Sequence, residues 1–217
     1  SLVTINDIET LFHEFGHGLH MTLSLSRHES QAGSNVAWDF IETPSQFMEN
    51  WVWNDDMLTK LSKHVDTGKS LPKDIRTKVL AAKHFQNAYF FTRQIIQGKL
   101  DLDLHTGKIK NAVEAYRTMY KTHFGIDLPI KETLFPAGFG HLVGYDAGYY
   151  SYLWALVYAQ DAFSEFEKNG ITKKELGMRW RKEVLEKGSS EEEIQLVTKF
   201  LGRKPNNKAF LKELVVK

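Results

Sequence analysis

Apolar residues recur at helical spacing along most of the chain. Ile8, Leu11, Phe12, Phe15 and Leu19 fall three or four apart, and Asn6 with Glu9 three residues on supplies a capping-box signal, which predicts that the first helix opens there. Residues 25–36 hold Ser and Gly and read as loop, whereas 38–64 read as a helical segment with Trp51, Val52, Leu58 and Leu61 inward. Pro72 opens the next element. From there to residue 100, Val79, Leu80, Phe85, Tyr89, Phe90, Ile95 and Ile96 are expected to form a broad buried face. Leu100-Asp101-Leu102-Asp103-Leu104 alternates at period two, which predicts a short strand or an extended connector. Helical spacing returns over 109–124 and stops at Gly125, and the stretch to residue 140 reads as loop. A long apolar helix is expected over 147–167, charged helices over 172–186 and 190–201, and a short helix at the end. Glu191, Glu192 and Glu193 read as acids favoured in a helix's first turn. No repeat or low-complexity linker divides the chain, so residues 1–217 are read as one all-α, mainly helical unit large enough to bury a core.

Composition narrows the classes of partner. Twenty-eight basic against 27 acidic residues leave no charge excess for nucleic acid or an anionic membrane. The absence of cysteine excludes a disulfide framework and a thiol nucleophile. No apolar run approaches the roughly 20 residues that span a bilayer, and no signal-like segment opens the chain, so a cytoplasmic setting is expected. Residue 1 is Ser, and the first helix carries the chemistry described next. The given beginning is therefore not expected to be the natural one.

That chemistry is His13-Glu14-Phe15-Gly16-His17. On a helix the two imidazoles stand one turn apart on one face and both reach an ion at roughly 2.0–2.1 Å. Zinc at such a site acidifies a bound water from a pKa of about 15.7 to near 7, and Glu14 beside it is placed to take the remaining proton and pass it to a leaving amine. Gly16 and Gly18 each cost a helix about 1 kcal/mol relative to Ala, which makes sense where another backbone or a substrate approaches closely. His20 is read as structural or as a support to the ligands, because a fourth protein ligand would close the site.

A third ligand must come from another segment, and Trp38-Asp39-Phe40-Ile41-Glu42-Thr43-Pro44-Ser45-Gln46 is the acidic, aromatic stretch nearby. Asp39 and Glu49 are both open as partners for the second ring nitrogen of a ligating histidine. Pro44 either starts a new helix or kinks one continuing from Trp38. Taken together, His13-Glu14-Phe15-Gly16-His17, Asp39-Phe40-Ile41-Glu42 and Pro44-Ser45-Gln46 resemble the thimet oligopeptidase family of zinc metallopeptidases. The resemblance implies that Glu42 is the third zinc ligand, with one zinc ion per chain and a position left for water or substrate.

Far along the chain, residues 135–154 combine Gly138, Gly140, Gly144 and Gly148 with His141, Tyr145, Tyr149, Tyr150 and Tyr152. Peptide hydrolysis needs donors aimed at the tetrahedral oxyanion, and phenols and imidazoles serve. The segment is similar to the family's glycine-rich loop and following helix. By that resemblance His141 and Tyr152 are transition-state donors and Tyr145 and Tyr149 contact substrate, while Tyr150 is assigned to packing.

The reading that follows is zinc-dependent hydrolysis of short peptides, with Glu14, His141 and Tyr152 catalytic and His13, His17 and Glu42 holding the metal. Members of the thimet oligopeptidase family carry the zinc motif well past their middle, so the resemblance implies that residues 1–217 are the C-terminal part of a longer peptidase's catalytic domain; the partners expected are short peptides and the missing N-terminal half of the same enzyme, with its wall of the substrate channel. Two alternatives share parts of this pattern. A zinc hydrolase acting on folded proteins has the first motif without the tyrosine cluster, and a non-catalytic zinc- or peptide-binding helical module would use the histidines structurally.

Overall fold

A computed structural model describes residues 2–129 and 134–214, and among them it shows helices and turns with no strand. The chain divides into two compact units, Ser1–Phe85 with Trp154–Lys217, and Gln86–Leu153.

In the first unit, α1 spans Ile5–Leu23. Its cap is Thr4 rather than Asn6. Thr4 Oγ1 accepts the Asp7 N–H at 3.2 Å and Asp7 Oδ2 accepts the Thr4 N–H at 2.7 Å, a reciprocal box that satisfies two end donors. Asn6 lies inside the helix, and the Glu9 expected to pair with it accepts Trp53 Nε1–H at 2.5 Å instead. Next come α2 (Trp38–Ile41) and α3 (Thr43–Glu49), which meet at Glu42. Pro44 occupies the first turn of α3, where its missing N–H is not needed, so the segment starts a new helix rather than kinking an old one. Asn54 caps α4 (Asp55–Leu61), and Pro72 precedes α5 (Lys73–Ala82).

The unit is completed by most of α9 (Ser151–Asn169), by α10 (Lys174–Trp180) running on into a π-helical turn at Arg181–Leu185, and by α11 (Glu193–Leu201) and α12 (Lys208–Glu213). Phe40 and Phe47 from α2 and α3 enter one core with Phe163 and Phe166 of α9, Trp180, and Leu196, Val197 and Phe200 of α11. The Phe47 and Trp180 rings stack 4.2 Å apart. Each such side chain contributes about 1.5–3 kcal/mol when buried, so the junction at Glu42 is pinned from both sides by Phe40 and Phe47.

The second unit holds α6 (Asn87–His105), α7 (Ala112–Phe124), α8 (Phe135–Gly138), a 3₁₀ turn at Gly140–Leu142 and the first residues of α9. Ile96 and Leu100 of α6 pack with Tyr116 and Tyr120 of α7, and Gly125 closes α7 in the left-handed conformation. The alternating stretch 100–104 is the end of α6, not a strand or connector. Asp101 and Asp103 are buried there while Leu102 is exposed, and of the residues expected on a buried face Phe90 and Ile95 are exposed while Ile96 is buried, so polarity does not report burial along α6.

Candidate functional site

In the first unit, α1 brings His13 and His17 to one face, with ring centroids 5.0 Å apart. The α2–α3 junction delivers Glu42 to them. Glu42 Oε2 lies 3.2 Å from His13 Nε2 and 3.2 Å from His17 Nε2, and the three donor atoms all fall within 4.8 Å of one another. Tetrahedral ligands at roughly 2.0–2.1 Å from a zinc ion stand about 3.3 Å apart, so the donor spacing and chemistry fit that ion.

The surroundings fix the donors. His13 Nδ1–H donates to Glu49 Oε1 at 2.6 Å, which turns Nε2 toward Glu42; of the two acids open as partners, Glu49 makes this bond. Ser45 Oγ lies 2.8 Å from Glu42 Oε2 and 2.9 Å from the Glu42 carbonyl. Burial by itself would raise the Glu42 carboxyl, but bonds from His13, His17 and Ser45 outweigh it and hold the group at about 2. Burial would likewise lower His13, and its two carboxylate partners push it up to about 10. Both shifts arise from the same close approach of imidazole and carboxylate atoms.

Gly16 makes the convergence possible. A Cβ on it would stand 2.5 Å from the Pro44 carbonyl oxygen and 2.6 Å from Ser45 Cα, so α1 and α3 touch backbone to backbone beside Glu42. Gly18 has nothing within 4 Å of the same position. Glu14 is exposed on α1 next to the ligands. His20 is fully buried, its ring nitrogens lack a hydrogen-bond partner among the described residues, and burial lowers it to about 4; it is a neutral interior residue.

The second unit gathers the other predicted residues around one imidazole. His141 Nε2 lies 3.2 Å from Tyr152 Oη, and the Tyr145 and Tyr152 rings stack at 5.3 Å. Tyr145 Oη is 2.9 Å from Ser151 Oγ. Tyr149 is buried, with its hydroxyl donating to Gln97 Oε1 at 2.8 Å, and burial raises its pKa. Tyr150 is partly exposed rather than packed away. Ser45 stood within the quoted Pro44-Ser45-Gln46 motif and was available to sequence reasoning as a partner of Glu42. Gln97 carried no such signal.

A helical frame that points two imidazoles and a carboxylate at one spot, with a free glutamate beside them, is the donor arrangement of metal-dependent hydrolases. The chain belongs to peptidase family M3, whose model matches residues 1–216. It is 42% identical to oligopeptidase A of Escherichia coli over 100% of this chain and 33% of that protein. Saccharolysin of Saccharomyces cerevisiae is 37% identical over 99% of this chain and 31% of its own length. Dipeptidyl carboxypeptidase of Salmonella typhimurium is 31% identical, covering 95% of this chain and 31% of that protein. The chain thus spans about a third of the length of the curated relatives it matches.

Proposed function

We propose that this chain carries the catalytic residues of a zinc-dependent peptidase that hydrolyses peptide bonds in short peptides. The observation that carries the proposal is the triad of His13, His17 and Glu42 with donor atoms at zinc spacing, in a chain of peptidase family M3. Zinc held by these three side chains would bring the pKa of a water near 7 and polarise a substrate carbonyl. Glu14 takes a proton from the attacking water as its oxygen adds to the scissile carbon, and returns it to the amine nitrogen as the C–N bond breaks. His141 and Tyr152 donate to the oxygen that takes up the carbonyl electron pair. Tyr145 contacts the bound peptide. Tyr149 is proposed to contact the peptide as well, and its hydroxyl, which donates to Gln97, braces its ring. Glu49 and Ser45 orient His13 and Glu42.

No helix among the described residues is long and apolar enough to cross a membrane. A cytoplasmic location is part of the proposal; the relatives include a probable cytosolic oligopeptidase A and an organellar one, both of Arabidopsis thaliana. The test uses the complete protein. Chelation is expected to abolish cleavage of a short fluorogenic peptide and zinc to restore it. Glu14→Gln is expected to keep one zinc per chain and lose roughly 10²–10⁴ in rate, the range of a general base. An active Glu14→Gln enzyme, or cleavage that survives full removal of the metal, would sink the reading.

A further inference from the structure

The second unit contains a buried carboxylate to which neither the motifs nor the resemblance gives a role. Asp101, near the end of α6, is completely buried. Its Oδ1 accepts the Ala147 N–H at 3.0 Å and lies 2.8 Å from His105 Nδ1, and its Oδ2 accepts the Tyr149 N–H at 3.0 Å. A carboxylate is costly to bury unless donors meet it, and here two of the donors are backbone groups two residues apart on one turn. Ala147 between Tyr145 and Tyr149 has φ +58°, a conformation that residues with a Cβ rarely adopt and that persists where neighbours over-determine it. The Gly148 N–H to Tyr145 carbonyl bond at 3.0 Å closes the same turn. Gln97, one helical turn before Asp101, holds the Tyr149 hydroxyl.

The turn has the donor pair on its two sides. Tyr145 leads into it, and its ring stacks on Tyr152 in the first turn of α9; Tyr152 in turn meets His141. A change in the path of residues 147–149 therefore changes where Tyr152 stands relative to His141 and Tyr145. We propose that Asp101 is a positioning residue for the peptidase reaction, clamping the 145–149 turn so that Tyr152 and His141 present their donors in a fixed orientation. The proposal rests on the oxyanion-donor role given to that pair above.

Asp101→Asn tests it in the complete, zinc-loaded enzyme. The amide keeps the shape but turns a donor toward one of the two backbone N–H groups. The expected result is a fall in kcat of roughly 10- to 100-fold with little change in KM, as for a misplaced catalytic group, and an unchanged zinc content. The deciding measurement is a cycle with Tyr152→Phe. If Asp101 acts through the phenol, adding Tyr152→Phe to Asp101→Asn costs far less than it costs alone, whereas a general loss of folded enzyme would multiply the two losses. Multiplicative losses, an unchanged kcat, or an effect confined to KM would overturn the clamp. Where Asp101→Asn alone does not accumulate, Ala147→Gly is added, because glycine takes the positive φ without help; the double variant is expected to fold and regain most of the lost kcat, and one that still fails to accumulate, or folds and keeps the deficit, overturns the clamp. The underlying assignment has its own readout. A Tyr152→Phe enzyme with unaltered kcat overturns both the donor role and the clamp, while a costly Tyr152→Phe combined with a silent or multiplicative Asp101→Asn overturns the clamp alone.

Discussion

Glu49 shows how much of the proposed metal centre lies one bond beyond its candidate ligands. Its carboxylate takes the Nδ1–H of His13 at 2.6 Å, fixing the tautomer that leaves Nε2 facing Glu42. Removing such a partner typically costs about 10–100-fold in metal affinity, so Glu49→Ala is expected to weaken zinc binding by that amount while Asp39→Ala leaves it unchanged. Competition with a chromophoric chelator measures both, and equal losses would return the choice between the two acids to where the sequence left it. Glu42→Ala belongs with this pair and should be more severe, since it leaves two protein ligands; full zinc occupancy in that variant would place the third ligand elsewhere. At the second cluster, Tyr152→Phe is expected to lower kcat by roughly 10²–10³ with a small change in KM, because the phenol is assigned to an oxyanion absent from the ground state. Tyr150→Phe is the neighbour expected to be nearly silent. A Tyr152→Phe effect seen in KM alone would demote the phenol to substrate binding.

Among the elements, the crossing of α1 and α3 decides how the proposed metal donors converge, and Gly16 decides the crossing. The atoms that a Cβ would strike there belong to backbone, at 2.5 and 2.6 Å, so neither can rotate away. Gly16→Ala is expected to push the helices apart, destabilise the protein by about 1–3 kcal/mol and weaken zinc binding, because Glu42 and its partner Ser45 flank the contact. Gly18→Ala, with open space at the same position, should instead stabilise α1 by up to about 1 kcal/mol. Thermal unfolding with zinc titration separates the two, and identical effects would show that the close approach is not what holds the site. The sequence made α1 and its histidines legible because the i, i+4 spacing of His13 and His17 means one thing on a helix. It flagged both glycines without telling them apart, since a close approach is a property of the partner backbone. Glu42 was reached through its motif rather than its spacing, as nothing local forces residues 17 and 42 together. The end of α6 was misread for a different reason. Asp101 and Asp103 are polar yet buried, each with partners inside the unit, so a pattern that equates polar with exposed reads little more than one helical turn as a short strand or an extended connector.

At the scale of the whole molecule, the 217 residues hold both the proposed metal ligands and the proposed oxyanion donors, yet they correspond to about a third of the length of the relatives they match. Binding zinc asks only that α1 and the α2–α3 junction keep their packing, and the aromatic core around Phe40 and Phe47 provides for that within the first unit. Hydrolysis asks for more. The scissile carbonyl must be held against the metal and the donors, and orientation of this kind supplies up to about 7–11 kcal/mol of barrier reduction, drawn from contacts along the length of a bound peptide. The face of α1 beside Glu14 leaves Leu11 and Phe15 64% and 57% exposed. The purified 217-residue chain is therefore expected to bind one zinc through His13, His17 and Glu42, lost in Glu42→Ala, and to cleave a quenched fluorescent peptide at least about 100-fold less efficiently than Escherichia coli oligopeptidase A assayed beside it. The two readouts separate the two requirements, since metal content reports the triad and kcat/KM reports the orientation of substrate. A chain of 217 residues that matched the longer relative in kcat/KM would show that these residues orient the peptide unaided. One that failed to bind zinc would show that the triad's preorganisation depends on contacts beyond its own unit.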